Sequence, residues 1–146
     1  MKDNKVLTEA AVILQWIADQ APAKNLIPAW GSFERYQAME WLNFISSEIH
    51  KGIAPLWKPN VSPEHRNNII ALVSKKLDLL EKHFANNAFV LGQSFSVADC
   101  YLFTVLAWTI PLKIDTSAWP NINAFRKRVS ERPLVIESLK AEGLLN

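Results

Sequence analysis

Two polar side chains, Ser96 and Asp99, stand at the start of an otherwise apolar run, GQSFSVADCYLF at residues 92–103. A serine and a carboxylate could serve nucleophilic or acid–base chemistry, but that use needs a histidine or metal partner, and the nearby sequence supplies none. Their spacing matches a capping box, in which each side chain binds the other residue's backbone N–H at a helix N-terminus. Ser96 and Asp99 are therefore predicted to begin a helix.

Thiol and metal chemistry have little support from the remaining candidates. Cys100, the single cysteine, follows the predicted cap on an apolar helix and has no basic neighbour that would favour its thiolate. We interpret it as a small core residue. His65 and His83 lack the spacing of a ligand pair, so no metal is predicted.

The composition indicates one soluble domain with a substantial core. The chain has 146 residues, of which 49% are hydrophobic, and includes six tryptophans and seven phenylalanines. A net charge of +2, from 16 basic and 14 acidic residues, is too balanced to indicate a nucleic-acid partner. No apolar segment reaches the length of a membrane span, and a single cysteine is typical of a reducing compartment. We therefore expect a cytoplasmic protein.

Helical periodicity dominates the first half of the chain. Thr8 is predicted to cap a helix that ends before Pro22, and residues 32–57 are predicted to form one long helix with apolar residues on more than half of its circumference. The only candidate strand is the short segment NKVLT at residues 4–8.

Three further signals divide the second half into helices. A Ser62–Pro63 cap begins a regular amphipathic helix. Its predicted inward residues are Ile69, Leu72, Val73, Leu77, Leu80 and Phe84. The capped helix from Ser96 to about Thr109 is apolar nearly all round and should be central. The segments 119–131 and 132–143 each have a proline near the start and predict two shorter helices.

The order of these motifs resembles the bacterial beta-class glutathione transferases. The resemblance runs from about residue 3 to 143 and rests on LTEAAVILQWIAD, EIHKG followed by PLW, SFSVAD, TVLAW and ERP. It implies an all-α bundle of about five helices, plus one N-terminal helix left from a thioredoxin-like domain. The family uses glutathione as a co-substrate in detoxification, and no further cofactor is implied.

The resemblance also implies a division of the chain into residues 1–22 and 23–146. Complete members begin with a thioredoxin-like domain that carries a thiol-activating cysteine and a cis-proline, and this sequence shows neither. Residues 1–22 resemble the last strand and helix of that domain, and residues 23–146 resemble the helical domain. We expect an electrophile-binding, dimerising C-terminal part that is inactive alone; the alternative is a free-standing helical interaction module.

Three positions, two of which carry the matching residue, correspond to family positions that bind glutathione. Glu9 matches the acid of a Glu-Ser pair that receives the γ-glutamyl group, although Ala10 stands in place of the serine. Asn43 matches an asparagine that reaches the same group across the dimer interface. Each also has a structural interpretation, since an acid favours a first helical turn and an amide usually finds a protein partner.

Four further positions match residues near the reacting atoms. His50 and Lys51 match a His-Lys pair that points towards the glutathione thiol, where a histidine can orient or deprotonate the sulfur and a lysine favours the thiolate. Trp108 and, less directly, Trp57 match aromatics of the electrophile pocket, with core packing as the alternative.

The resemblance further implies a homodimer. The predicted bundle has more apolar surface than five short helices can hide, and such surface usually becomes an interface. The residues expected on these faces are Trp41, Phe44, Ile53, Trp57 and Trp108. The partner surface is expected to involve helix packing of residues 33–57.

Overall fold

The computed structural model describes residues 5–145, which fold into six helices. These are α1 (Ala10–Asp19), α2 (Phe33–Phe44), α3 (Pro63–Phe84), α4 (Val97–Ala107), α5 (Pro120–Ser130) and α6 (Pro133–Ala141). Residues 5–145 form no sheet, and their only β contact is an isolated bridge between Phe89 and Gly92. None of the described helices is long and apolar enough to cross a membrane. The predicted all-α class is confirmed.

Helix α2 continues beyond Phe44 with a changed pitch. Residues Ile45–His50 are π-helical, Lys51–Ile53 return to α geometry, and Ala54–Trp57 form a 3-10 turn. Ile45, Ile49 and Ile53 are fully buried along this extension. The long helix predicted over residues 32–57 is therefore continuous from Phe33, but its geometry is not regular. The prediction that Ile53 belongs to an exposed apolar face is wrong, because Ile53 is fully buried.

Helix α4 lies at the centre of the bundle, as its composition predicted. Its buried residues include Val97, Ala98, Tyr101, Leu102, Val105 and Leu106. Helix α3 packs its predicted seam inward, except that Leu72 is 63% exposed. The prediction for Leu72 is wrong because Ile69, Val73, Leu77 and Leu80 already form the i, i+4 seam, which places Leu72 on its solvent side.

The start of α4 is fixed by the carboxylate of Asp99. This fully buried group accepts hydrogen bonds from the Ser96 backbone N–H at 2.7 Å, the Ser96 hydroxyl at 2.8 Å and the Val90 backbone N–H at 2.7 Å. The structure thus has the capping box and extends it to the preceding loop. Burial raises the pKa of Asp99, and the hydrogen bonds from Val90 and Ser96 oppose that shift.

The N-terminal region differs from the sequence prediction at two points. Helix α1 begins after Glu9, not Thr8, because Glu9 adopts a left-handed backbone with φ of 69° and its carbonyl accepts from the N–H groups of Val12 and Ile13. Residues 5–8 of the candidate strand have no regular secondary structure. Asn4, with the rest of residues 1–4, lies outside the described residues.

A buried arginine ties α1 and the following linker to α2. The Arg35 guanidinium contacts both carboxylate oxygens of Asp19, at 2.8 and 2.9 Å, and donates to the Pro28 carbonyl at 3.1 Å. Trp30 stacks on the guanidinium at 3.9 Å. The hydrogen bond from Arg35 holds the pKa of Asp19 below its usual value. These contacts set the position of the first helix against the bundle.

Replacing the two capping residues should lower the free energy of unfolding, measured by urea denaturation. Asp99→Ala leaves two N–H groups without their acceptor, so we expect a loss of about 3 kcal/mol. Ser96→Ala removes one side chain of the cap, and we expect about 1–2 kcal/mol. Asp115→Ala is the control, since within residues 5–145 this exposed carboxylate accepts hydrogen bonds from Ser117 alone, and the change should stay within about 0.5 kcal/mol. An unchanged midpoint for Asp99→Ala would contradict the stabilising role of the cap.

Candidate functional site

The π-helical segment ends at His50 and places its imidazole against α4. His50 Nδ1 lies 2.7 Å from the hydroxyl of Tyr101, and Tyr101 as a whole residue is only 7% exposed. The His50 ring also packs edge-to-face on Trp108, with ring centroids 4.8 Å apart and an interplanar angle of 89°. Tyr101 lies on α4 and Trp108 is the C-cap residue that directly follows it, seven positions later, so both are on the face that meets His50.

Trp57 and Trp108 meet at the edge of an apolar hollow. Their ring centroids are 6.0 Å apart in an edge-to-face arrangement. Both line a cavity of about 820 Å³ between α4, α5 and the C-terminal residues. Its other apolar lining residues include Phe103, Ala107, Ile110, Leu139 and Leu144. The cavity has the size and aromatic lining of a small-molecule site.

Basic and polar side chains border the same hollow. Arg126 and Lys127 lie on the α5 side, and Glu142 lies near the C-terminus. Burial lowers the pKa of Arg126, whose Nη1 is 3.4 Å from the Thr109 hydroxyl. In the sequence, Arg126 belongs to the basic run RKR at residues 126–128, a pattern typical of a solvated helix face.

The other predicted site residues lie apart from the His50–Trp108 contact. Lys51 is exposed, and no hydrogen bond or ion pair joins its side chain to the described residues. Glu9 and Ala10 are exposed at the start of α1, and Asn43 is exposed on α2. None of the four lines the 820 Å³ cavity. The structure thus brings together His50, Trp57 and Trp108 from the predicted set.

Tyr101 is the site residue that sequence reasoning missed. It contacts His50 across 51 positions of the chain, so no local motif links the two. The available signal was its spacing from Trp108 on one face of a central helix, together with a phenol in an otherwise apolar run. A buried tyrosine hydroxyl usually has a hydrogen-bond partner, and that rule could have prompted a search for one.

The remaining histidines occupy separate environments. His83 lies beside Trp41, with its Nε2 3.3 Å from the Phe89 carbonyl, and both rings border a second hollow of about 540 Å³. His65 is exposed near the start of α3. No group of three His, Cys, Asp or Glu side chains within residues 5–145 is placed to hold a metal ion.

Cys100 has an environment that suppresses thiol reactivity. Burial, with a further contribution from the negative charge of Asp99, raises the pKa of its thiol to about 11. A thiol with that pKa is almost entirely protonated near neutral pH, and the protonated form is a poor nucleophile. This environment supports its interpretation as a packing residue.

Comparison with known proteins assigns the class. The family model described as "Glutathione S-transferase, C-terminal domain" matches residues 44–133. These 90 residues are more than half of the chain, so the protein belongs to the glutathione S-transferase family.

Several bacterial glutathione transferases are similar to this chain. The chain is 39% identical to glutathione S-transferase GstA of Escherichia coli O157:H7, in an alignment covering 99% of this chain and 72% of that protein. The structure of BphK, described as a bacterial GST in a ternary complex, superposes with a TM-score of 0.95 at 45% identity. A beta-class enzyme of Sphingomonas chungbukensis gives a TM-score of 0.93 at 41% identity. Both structural matches cover 99% of this chain and 72% of the other.

The thiol environment predicts that Cys100 is nearly inert in the folded protein. At pH 8 a pKa of about 11 leaves about one thiol in a thousand ionised, whereas an ordinary cysteine is substantially ionised. We expect native Cys100 to react with Ellman's reagent on the order of a hundredfold more slowly than the same protein in urea. Equal rates in the two states would contradict the assignment.

Proposed function

We propose that this chain supplies the electrophile-binding and dimerising part of a glutathione S-transferase. The full reaction is attack of the glutathione thiolate on a hydrophobic electrophile, a detoxification chemistry. The observation that carries the proposal is the placement of His50 against Trp108, which in turn lines the apolar hollow with Trp57. A polar group beside a flat aromatic surface suits a sulfur nucleophile that meets an apolar partner.

His50 and Lys51 are assigned to the glutathione thiol in this proposal. An imidazole can hydrogen-bond a thiolate, and an ammonium nearby favours the ionised sulfur. Lys51 is exposed and its side chain has no ion pair within the described residues, so it can turn towards a bound anion. Trp57 and Trp108 would hold the electrophile, and Trp57 is 51% exposed at the mouth of the hollow.

Glu9, Ala10 and Asn43 are assigned to the γ-glutamyl end of glutathione. The left-handed backbone of Glu9 is costly for a non-glycine residue, and such strain is concentrated at ligand sites. The carboxylate of Glu9 suits an ammonium group, while the backbone N–H groups at the start of α1 suit a carboxylate. Asn43 is exposed on α2, where its amide could reach a ligand held by a partner subunit.

The proposal divides the chain into residues 1–22 and 23–146. The first segment, with α1, would be the last part of a thioredoxin-like domain, and the second would be the helical domain. The Asp19–Arg35 contact joins the two segments. Family membership does not favour the alternative of a free-standing interaction module. With one cysteine and hence no internal disulfide, a reducing compartment such as the cytoplasm is the proposed location.

The catalytic part of the proposal predicts no turnover by the chain alone. Burial raises the pKa of the chain's one cysteine to about 11, so Cys100 is a poor candidate for an activated thiol. With glutathione and chlorodinitrobenzene, we expect the uncatalysed rate. Saturable turnover that survives Cys100→Ala would contradict this expectation.

A second experiment uses a chimera in which a thioredoxin-like domain from a beta-class relative is fused ahead of residue 1. We expect this chimera to conjugate glutathione, and His50→Ala to lower its kcat/KM about a hundredfold through loss of a group at the sulfur. His65→Ala is the matched control and should leave the rate unchanged, because His65 is exposed outside the hollow. Full activity of the His50→Ala chimera would contradict the proposed role of His50 at the glutathione sulfur.

The dimer part of the proposal rests on exposed apolar residues along α2. Phe33 and Tyr36 are 74% and 60% exposed on consecutive turns, and Met39 is also exposed. Trp41 and Phe44, further along, are half-buried and stack edge-to-face at 5.7 Å. Apolar surface concentrated on one helix is typical of a self-association site. We assign residues 33–57 to a homodimer interface.

Sedimentation at tens of micromolar tests the interface. We expect the mass of a dimer for the parent and of a monomer for Tyr36→Glu, because a carboxylate cannot be buried without a partner at low cost. Leu134→Glu is the matched control, since Leu134 is also exposed, at 74%, but lies on α6 outside the assigned surface. A parent that sediments as a monomer, or two variants that behave alike, would contradict the assignment.

A further inference from the structure

We propose that Tyr101 fixes the tautomer of His50. In this arrangement the phenol donates its proton to Nδ1, so that neutral His50 carries its own proton on Nε2. His50 then acts as a hydrogen-bond donor to an anionic sulfur and not as the base that removes the thiol proton. The tautomer is a property of this chain; the sulfur as its acceptor rests on the proposed function.

The first argument is the hydrogen-bond inventory of Tyr101. Tyr101 is a buried residue, and within residues 5–145 the one hydrogen bond of its hydroxyl is the 2.7 Å contact with His50 Nδ1. A phenol has a single proton, and a buried donor without an acceptor is costly. If Nδ1–H instead donated to the tyrosine oxygen, the proton of the phenol would have no acceptor among the described residues. The phenol is therefore the donor and Nδ1 the acceptor.

The second argument is the surroundings of the rest of the imidazole. The ring packs edge-to-face against Tyr101 at 5.7 Å and Trp108 at 4.8 Å, so aromatic surface covers much of it. No hydrogen bond from a described residue reaches Nε2. A neutral imidazole has one N–H and one lone pair, and here the lone pair on Nδ1 is already engaged. The Nε2–H is the group left for a ligand.

The proposed tautomer changes the chemistry available at the site. A protonated Nε2 has no lone pair, so it cannot accept the thiol proton directly. That proton leaves to bulk water, and the N–H then stabilises the thiolate that remains. Stabilising a developing or existing anion with a fixed donor is a common source of catalytic power. Tyr101 is accordingly a positioning residue, which acts only through His50.

The chain contains internal references for a spectroscopic test. His83 Nε2 faces the Phe89 carbonyl, which can only accept, so His83 must also carry its proton on Nε2. His65 is exposed, and no side-chain hydrogen bond from it is present within the described residues. His83 is therefore the reference for a fixed tautomer with the proton on Nε2, and His65 is the reference for an exposed imidazole that exchanges between tautomers. His50 is compared with both.

The experiment is long-range proton–nitrogen NMR of the ¹⁵N-labelled 146-residue protein at about pH 8.5, well above the ordinary imidazole pKa of about 6.5. We expect Nδ1 of His50 to have the chemical shift of an unprotonated nitrogen and Nε2 that of a protonated one, matching the pattern of His83. The opposite assignment, with the proton on Nδ1, would overturn the proposal. This measurement on the parent protein decides the tautomer whether or not any variant folds.

Tyr101→Phe tests whether the tyrosine is the cause. We expect the nitrogen shifts of His50 to move towards the averaged values of His65, while those of His83 stay fixed. Ser138→Ala is the control, because it also removes one hydroxyl, here an exposed one on α6 that donates to the Leu134 carbonyl; its spectrum should show no change at His50. If His50 keeps its shifts in a folded Tyr101→Phe protein, the proposal fails. The NMR experiment contains no glutathione. An inactive chimera would therefore contradict the proposed function but not the proposed tautomer.

Discussion

The carboxylate of Asp99 is the contact on which the arrangement of this bundle depends. It closes the N-terminus of α4 and, through the Val90 N–H, holds the loop that arrives from α3. The adjacent Val97 N–H binds the Leu26 carbonyl, so the linker after α1 meets the same helix end. Since Tyr101 lies on α4 and Trp108 caps its C-terminus, a buried acid with a structural role sets the position of the candidate site.

Much of the fold could be predicted because its signals are local. Pro63, Pro120 and Pro133 each stand in the first turn of a helix, where the sequence placed them. The start of α1 could not be predicted in the same way. It depends on the backbone conformation of Glu9, and a left-handed glutamate leaves no mark in the pattern of apolar residues. The prediction that Leu72 is buried was wrong for a related reason, because the periodicity of apolar residues does not define how wide the buried face of a helix is.

The candidate site was predictable in its residue types but not in its contacts. His50, Trp57 and Trp108 were singled out from a family resemblance, and they do come together. Tyr101 was missed, since its relation to His50 requires the crossing of two helices at a particular rotation. That rotation depends on the π-helical turn at Ile45–His50, which no local residue preference predicts. Tertiary packing, with three isoleucines buried along the extension, selects it.

The π-helical turn also has a consequence for how this helix tolerates changes of length. A π turn accommodates more residues than an α turn, so it behaves as a local insertion in an otherwise regular helix. In a regular α-helix, deleting one residue rotates everything beyond it by about 100°. Here, deleting one residue between Ile45 and Ile49 would remove the extra residue of the π turn and restore α geometry, so the helix beyond it would keep its direction. Gly52, where a β-carbon would lie 3.0 Å from Val73, would still face α3. The π turn therefore makes this segment tolerant of a single-residue deletion that a regular helix could not absorb.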